Sequence, residues 1–255
     1  MPVSRELRIE KGGGSRERAP DAPKRALAIG AHPDDVEFGA GATLARWAAA
    51  GTDITLLVLT DGSKGTWDSG TDRSGLVRTR QEEQRAAADI LGIRAVEFLG
   101  RTDGDLVSTV AERALVSAVI RRCRPDVVLG HDPWRRYRLH PDHQRAGTIT
   151  IEAIVAARDA TFHAEQIDPG GLVAHRPATL LLFEPEEPNH CEPADEGLAA
   201  KVDALLAHRS QWRSTMGIDT DPDAEIAAFA TRVRDTALDV GDGVPAEEFH
   251  RIDDL

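Results

Sequence analysis

Two short stretches of this sequence carry imidazoles and carboxylates at spacings that suit metal-assisted hydrolysis. The first is His32-Pro33-Asp34-Asp35 and the second, far along the chain, is His140-Pro141-Asp142-His143. His32 and Asp35 lie across a turn that Pro33 stiffens, so they can share one metal ion and leave Asp34 free to act on a water. His143 supplies a third ligand, the number a catalytic Zn²⁺ site uses while it keeps one position open. Such an ion lowers the pKa of a water towards about 7 and polarises a carbonyl. Asp34 is then the general base. His140 is either the acid for the leaving amine or the donor to the oxyanion. Asp142 stands where it can steady one of these imidazoles by a hydrogen bond. A lone His-Pro-Asp is often only a turn whose Asp caps a helix. Two of them, each after an apolar run, outweigh that plainer reading.

Residues so far apart meet only if the fold brings the chain back to one edge. Residues 26–31 form a continuous apolar run of the kind a buried parallel strand shows, followed by a helix over 39–50 and a second apolar run over 54–59. Strand, helix and strand in that compass make a βαβ unit. Further strands are predicted over 95–99, 126–129 and 178–183, and helices over 77–91, 109–123, 144–158, 198–213 and around 224–235. The alternation predicts an α/β fold: a Rossmann-like, mostly parallel sheet with helices on both faces, in a single domain over 25–255. Residues 1–24, with many charges, a Gly12-Gly13-Gly14-Ser15 run and prolines, read as a flexible lead-in. In open α/β sheets ligands bind at the carboxyl edge of the strands, where His32 falls. The glycine-rich loop over 60–65 reaches the same edge, and the polar stretch over 66–76 reads as a mobile wall. His131-Asp132, after the fourth predicted strand, either lines the site or, as loop histidines more often do, sits in solvent, and Trp134, Arg135, Arg136 and Arg138 form a basic patch beside the second histidine motif. His208 lies near Ser210, but no nucleophile-elbow glycines surround that serine. Cys123 and Cys191 have no partner at ligand spacing.

Composition narrows the classes further. The chain has 255 residues and a formal net charge of -12, which argues against a nucleic-acid partner, since phosphate binding wants a basic face. It lacks an apolar run long enough to span a membrane and the apolar core of a signal peptide. Its two cysteines make no disulfide framework. The expectation is a soluble, cytoplasmic protein.

The run Ala31-His32-Pro33-Asp34-Asp35-Val36-Glu37 after a strand, with the later His140-Pro141-Asp142-His143, resembles the PIG-L/LmbE-like zinc-dependent N-deacetylases. The likeness extends from near Arg25 to near Gln211. It includes Thr60-Asp61-Gly62, Arg80 and Glu83 ahead of Leu91-Gly92, Phe98-Leu99-Gly100 with Asp103-Gly104, and His208, Ser210 and Gln211. Members of that family remove acetyl groups from N-acetylglucosamine units of glycolipids, of mycothiol and bacillithiol precursors, of chitobiose and of antibiotic sugars. Some cleave mycothiol conjugates at an amide. The resemblance implies His32, Asp35 and His143 as ligands of Zn²⁺ or another divalent transition metal, and Asp34 as the base. It implies His140 as the histidine that assists the transition state, and Arg80 and Asp103 as contacts to the sugar's hydroxyls. It also implies a small-molecule amino-sugar as partner and is in keeping with a homo-oligomer. Two departures are visible. Where relatives carry a tyrosine two residues before the second motif stands Arg138, with Tyr137 one residue further back. The Asp-Ile-Ser common before the late helix is replaced by Glu192-Pro193-Ala194-Asp195-Glu196.

The expected activity is a metal-dependent hydrolase that removes an N-acyl group, acetyl first, from an N-acetylglucosamine-type amino-sugar. The alternative enzyme is an amidase that cleaves mycothiol S-conjugates or a related thiol-sugar. The alternative outside enzymes is a nucleotide- or sugar-binding Rossmann module. Its obstacle is the first strand–helix turn, which holds His-Pro-Asp-Asp rather than Gly-x-Gly-x-x-Gly. Two carboxylates there repel a pyrophosphate.

Overall fold

A strand that is apolar at every position needs cover on both faces. In the computed structural model, which describes residues 22–255, helices provide that cover. The chain runs through β1 (Arg25–Gly30), α1 (Asp35–Ala49), β2 (Asp53–Thr60), α2 (Arg73–Leu91), β3 (Ala95–Arg101), α3 (Val110–Cys123), β4 (Val127–His131) and α4 (Pro141–Arg158). It continues through β5 (Thr179–Phe183), β6 (His190–Pro193), α5 (Leu198–Ala207), α6 (Pro222–Val240) and β7 (Ala246–Asp253). The 7-stranded sheet has the order β3-β2-β1-β4-β5-β7-β6. The first five strands pair in parallel, and β7 lies antiparallel between β5 and β6. Alternate side chains of β1 and β2 serve two cores. Ala26, Ala28, Ile54 and Leu56 meet Leu44, Trp47 and Leu91 on one face, while Leu27, Ile29 and Leu57 meet Ile120 and Ile149 on the other. Each fully buried Leu or Ile there contributes about 1.5–3 kcal/mol. This is the expected α/β sheet with helices on both faces. Residues 1–21, most of the expected lead-in, lie outside the described residues.

Three boundaries differ from expectation for local reasons. Helix α1 begins at Asp35 rather than at residue 39, because Asp34 takes a left-handed φ of 93° and turns the chain straight into the helix. Helix α2 begins at Arg73, capped by the Asp72 carboxylate, which accepts the Ser74 N–H at 3.0 Å, so the loop before it ends sooner than 76. Helix α5 stops at Ala207 and gives way to tighter and wider turns through Met216 instead of running to 213. The sequence reading also missed two strands. The apolar residues of β7, Ala246, Phe249 and Ile252, recur every third position, which hides a period of two; β6 is short and ends in Pro193, which suits a sheet edge.

Strand β7 also anchors the helix that follows His32. The Glu247 carboxylate accepts the backbone N–H groups of Ala42 (3.0 Å) and Thr43 (2.7 Å) in the middle of α1. Buried Lys201 of α5 donates to Glu247 Oε1 and to the Phe38 carbonyl, each at 2.7 Å. The approach of α5 requires glycine at 197, where a Cβ would collide with the Ala42 carbonyl oxygen. Removing one partner of a buried pair strands the other charge and costs about 3–5 kcal/mol. Lys201→Met is therefore expected to lower the urea-unfolding free energy by about that amount, with much of it restored when Glu247→Gln is added. Equal stability of Lys201→Met and wild type would show that the pair holds nothing.

Candidate active site

Strand order reverses between β1 and β4, so the loops leaving these two strands diverge and open a crevice at the carboxyl edge. His32 leaves β1, His131 ends β4, and His140 caps α4, with Pro141 at its first turn. The two sequence motifs therefore meet. Asp35 Oδ2 lies 3.3 Å from His32 Nδ1, and Asp35 Oδ1 lies 3.2 Å from His143 Nε2. The two ring nitrogens are 3.2 Å apart. Ligand atoms about 2.0–2.1 Å from a tetrahedral ion sit about 3.3–3.4 Å from one another, so each of these three pairs has the spacing of two Zn²⁺ ligands, with Asp35 turning a different oxygen to each imidazole.

The outer ring nitrogen of His32 decides its tautomer. Nε2 lies 3.2 Å from Asp103 Oδ1 and 3.2 Å from Asp142 Oδ2. Ionised carboxylates only accept, so Nε2 carries a proton, and with a metal ion bound Nδ1 would be the ring nitrogen left to offer its lone pair. Asp142 is fixed by the N–H groups of Gly104 (2.6 Å) and Leu106 (3.2 Å), and Asp103 by the N–H of Lys64 (2.9 Å). Burial works against charge on His32, but Asp35, Asp103 and Asp142 outweigh it and hold its pKa well above the ordinary value. The same negative field favours a bound cation. Burial likewise opposes ionisation of Asp35, yet His143, His131 and His32 keep its carboxyl well below the usual range.

Asp34 sits beside this cluster, 6% exposed, with its N–H held by Gln84 Oε1 at 3.0 Å and its Oδ2 facing Arg80 Nη2 at 3.4 Å. Burial pushes its carboxyl up to about 6, with Asp35 and Glu37 adding to the rise while Arg80 and His208 oppose it. His140 stands at the mouth, its ring edge-on to His32 with centroids 4.5 Å apart. The Asp142 N–H donates to His140 Nδ1 at 3.3 Å, which leaves a neutral ring's proton on Nε2. Burial lowers the His140 pKa, helped by His32 and His143.

The structure gives two expected sugar contacts other neighbours. Arg80 is 3% exposed and not on a solvated helix face; its guanidinium donates to the carbonyls of Gly62 (2.9 Å) and Pro33 (2.6 Å) and faces Asp34. Asp103 aims one oxygen at His32 and gives the other to Lys64. Neither residue at the family's tyrosine position reaches over the ligand cluster. Arg138 spends its guanidinium on His143 Nδ1 (Nε, 2.8 Å) and on Glu184, and Tyr137 is 91% exposed.

Sequence reasoning favoured solvent over the site for His131. It is buried rather than solvated, its Nε2 lies 3.2 Å from Asp35 Oδ2, and its ring stacks on His143 with centroids 4.4 Å apart. Its position at the end of a strand next to β1 was the available signal, and strand order was the missing piece. Besides His32–Asp35–His143, the described residues bring together three further trios that could hold an ion, His32–His140–His143, Asp35–His131–His143 and His32–Asp103–Asp142, so His131 is an alternative donor. Among the same residues no helix is long and apolar enough to cross a membrane.

The chain is similar to known proteins both in sequence and in fold. Over 189 residues the chain is 35% identical to a diacetylchitobiose deacetylase of Thermococcus kodakarensis, covering 74% of this chain and 70% of that protein. It is 37% identical to a 1D-myo-inositol 2-acetamido-2-deoxy-alpha-D-glucopyranoside deacetylase of Rhodococcus erythropolis, covering 74% and 81%. The fold matches that of N,N'-diacetylchitobiose deacetylase from Pyrococcus horikoshii, in complex with its inhibitor MPG, with a TM-score of 0.81. That match has 28% identity and covers 91% of this chain and 84% of the other. Residues 27–154, which hold both histidine motifs, match the sequence model described as PIG-L: GlcNAc-PI de-N-acetylase, and the chain belongs to that family.

Proposed function

We propose that this protein is a metal-dependent N-deacetylase that hydrolyses the acetamide of an N-acetylglucosamine-type amino-sugar. The observation that carries the proposal is the Asp35 carboxylate between two imidazoles, Oδ2 3.3 Å from His32 Nδ1 and Oδ1 3.2 Å from His143 Nε2, with those nitrogens 3.2 Å apart and a buried carboxylate, Asp34, beside them. Zn²⁺ or a similar divalent ion, held by those three residues, supplies Lewis acidity to the substrate carbonyl and to water. Asp34 takes the proton of the attacking water, and Arg80 orients its carboxylate through the 3.4 Å contact. His140 points an Nε2–H at the crevice and donates to the developing oxyanion, the role the Asp142 N–H at its Nδ1 favours. Asp103 and Asp142 hold His32 rather than the sugar. For His143 to offer Nε2, its proton must sit on Nδ1, and Arg138 must then turn wholly to Glu184. The names of the relatives, a diacetylchitobiose deacetylase and a 2-acetamido-2-deoxy-glucopyranoside deacetylase, support an acetamido-sugar as substrate.

The test is amine release from N-acetylglucosamine, N,N'-diacetylchitobiose, an inositol glycoside of N-acetylglucosamine and a thiol–sugar conjugate, run beside metal analysis. About one divalent ion per chain, with release from the acetamido-sugars, is the expected result. Release from the thiol conjugate alone would move the reading to the amidase. A chain that takes up no Zn²⁺ when it is supplied would sink the ligand assignment.

A further inference from the structure

Asp34 is gripped from behind by residues that the reaction itself does not touch. Its φ of 93° is a left-handed conformation that a residue with a Cβ adopts only when its surroundings impose it. The Asp34 N–H donates to Gln84 Oε1 at 3.0 Å, and Gln84 Nε2 donates to the Glu37 carboxylate in a short hydrogen bond. A carboxylate has nothing to donate, so Glu37 forces the nitrogen end of the Gln84 amide towards itself. The oxygen end must then face Asp34, and the amide has one orientation. Glu37 is fully buried, and the opposite charge available to it is His208, whose Nε2 lies 3.8 Å from Glu37 Oε1. Both ring nitrogens of His208 and Glu37 Oε2 are buried without a hydrogen-bond partner among the described residues. His208 is therefore retained there for charge and shape, since it closes no hydrogen-bonded chain.

We propose that Gln84 and Glu37, with His208 as counter-charge, are positioning residues that hold Asp34 in its left-handed turn and aim its carboxylate at the ligand cluster. The three come from α2, α1 and the end of α5, so the device joins segments far apart in the chain. The inference rests on the reading of Asp34 as the base. A misplaced catalytic group still leaves substrate contacts and metal ligands in place, so the signature is in kcat and not in KM.

Gln84→Met keeps the side chain's length and removes both ends of the amide. It is expected to lower kcat about 10- to 100-fold, with KM and metal content at wild-type values. Glu37→Gln can accept from or donate to the Gln84 amide, so it no longer imposes one orientation and is expected to lower kcat, though less than Gln84→Met, whereas Glu37→Met should match Gln84→Met. Where Gln84→Met does not fold, Gln84→Asn, one methylene shorter, makes the same comparison. Wild-type kcat in the Gln84 variant, with Asp34→Asn inactive, overturns the positioning role and leaves the base in place. A fall in kcat that tracks metal loss overturns it too, as does a wild-type kcat in Glu37→Met. An active Asp34→Asn would instead overturn the reading of Asp34 on which the inference rests.

Discussion

Asp34→Asn is expected to bind metal as the wild type does and to turn over about 10²–10⁴ times more slowly, the usual contribution of a positioned general base. The substitution is chosen because it changes little else. Asparagine tolerates the left-handed turn at φ 93° better than most residues, so the strand-to-helix corner is kept. The amide oxygen of the substituted side chain can still accept from Arg80, whose Nη2 lies 3.4 Å from Asp34 Oδ2, and the backbone N–H still meets Gln84. What disappears is the capacity to take a proton. Steady-state kinetics and metal analysis on the same preparation separate the outcomes. Retained metal with lost turnover supports the base, whereas metal lost together with turnover would make Asp34 a ligand. Near-normal turnover would place the proton acceptor elsewhere.

Asp35→Ala is the complementary case, in which the metal should go first. The Asp35 carboxylate stands 3.2–3.3 Å from His32 Nδ1, His131 Nε2 and His143 Nε2, so it is the anion around which three imidazoles gather. Removing it leaves two ring nitrogens from the proposed trio. The loss of metal affinity should exceed the about 10–100-fold that changes to residues behind a ligand produce. Amine release should drop to background and stay there at Zn²⁺ concentrations that saturate the wild type. Titration of chelator-stripped protein with Zn²⁺ reads this directly. If Asp35→Ala still holds one ion tightly, the ion belongs to one of the trios that lack Asp35, His32–His140–His143 or His32–Asp103–Asp142. That result would keep a metal enzyme and discard this ligand set.

Both substitutions fall in His32-Pro33-Asp34-Asp35, and the sequence alone marked that stretch. The closeness of His32 and Asp35, on which the proposed metal site rests, was legible because Pro33 and their spacing confine them to one turn. The central strands were legible for a related reason: β1 and β2 are covered on both faces, so each is an unbroken apolar run. The corner itself was less legible. A positive φ at Asp34 leaves no trace in residue type, and α1 therefore starts before its apolar periodicity suggests. Strand β7 was invisible because five of its 8 residues are at least partly exposed, and its apolar positions do not alternate.

Residue type and spacing along the chain thus determined the α/β class, the strand edge that carries the chemistry and the two histidine motifs. The tertiary structure alone decided who stands behind those motifs. His131 is buried against Asp35 because β4 pairs with β1, with Leu129 beside Ala28. Arg80 turns from solvent to Asp34 because α2 packs over the loop that holds Gly62. Asp103 and Asp142 converge on His32 from two different segments, and Glu37, Gln84 and His208 meet under Asp34 from α1, α2 and the end of α5. A sequence pattern reports which face of its own element a residue occupies. Which side chains meet across elements depends on strand order and register, and these are properties of the packed sheet and not of any one segment.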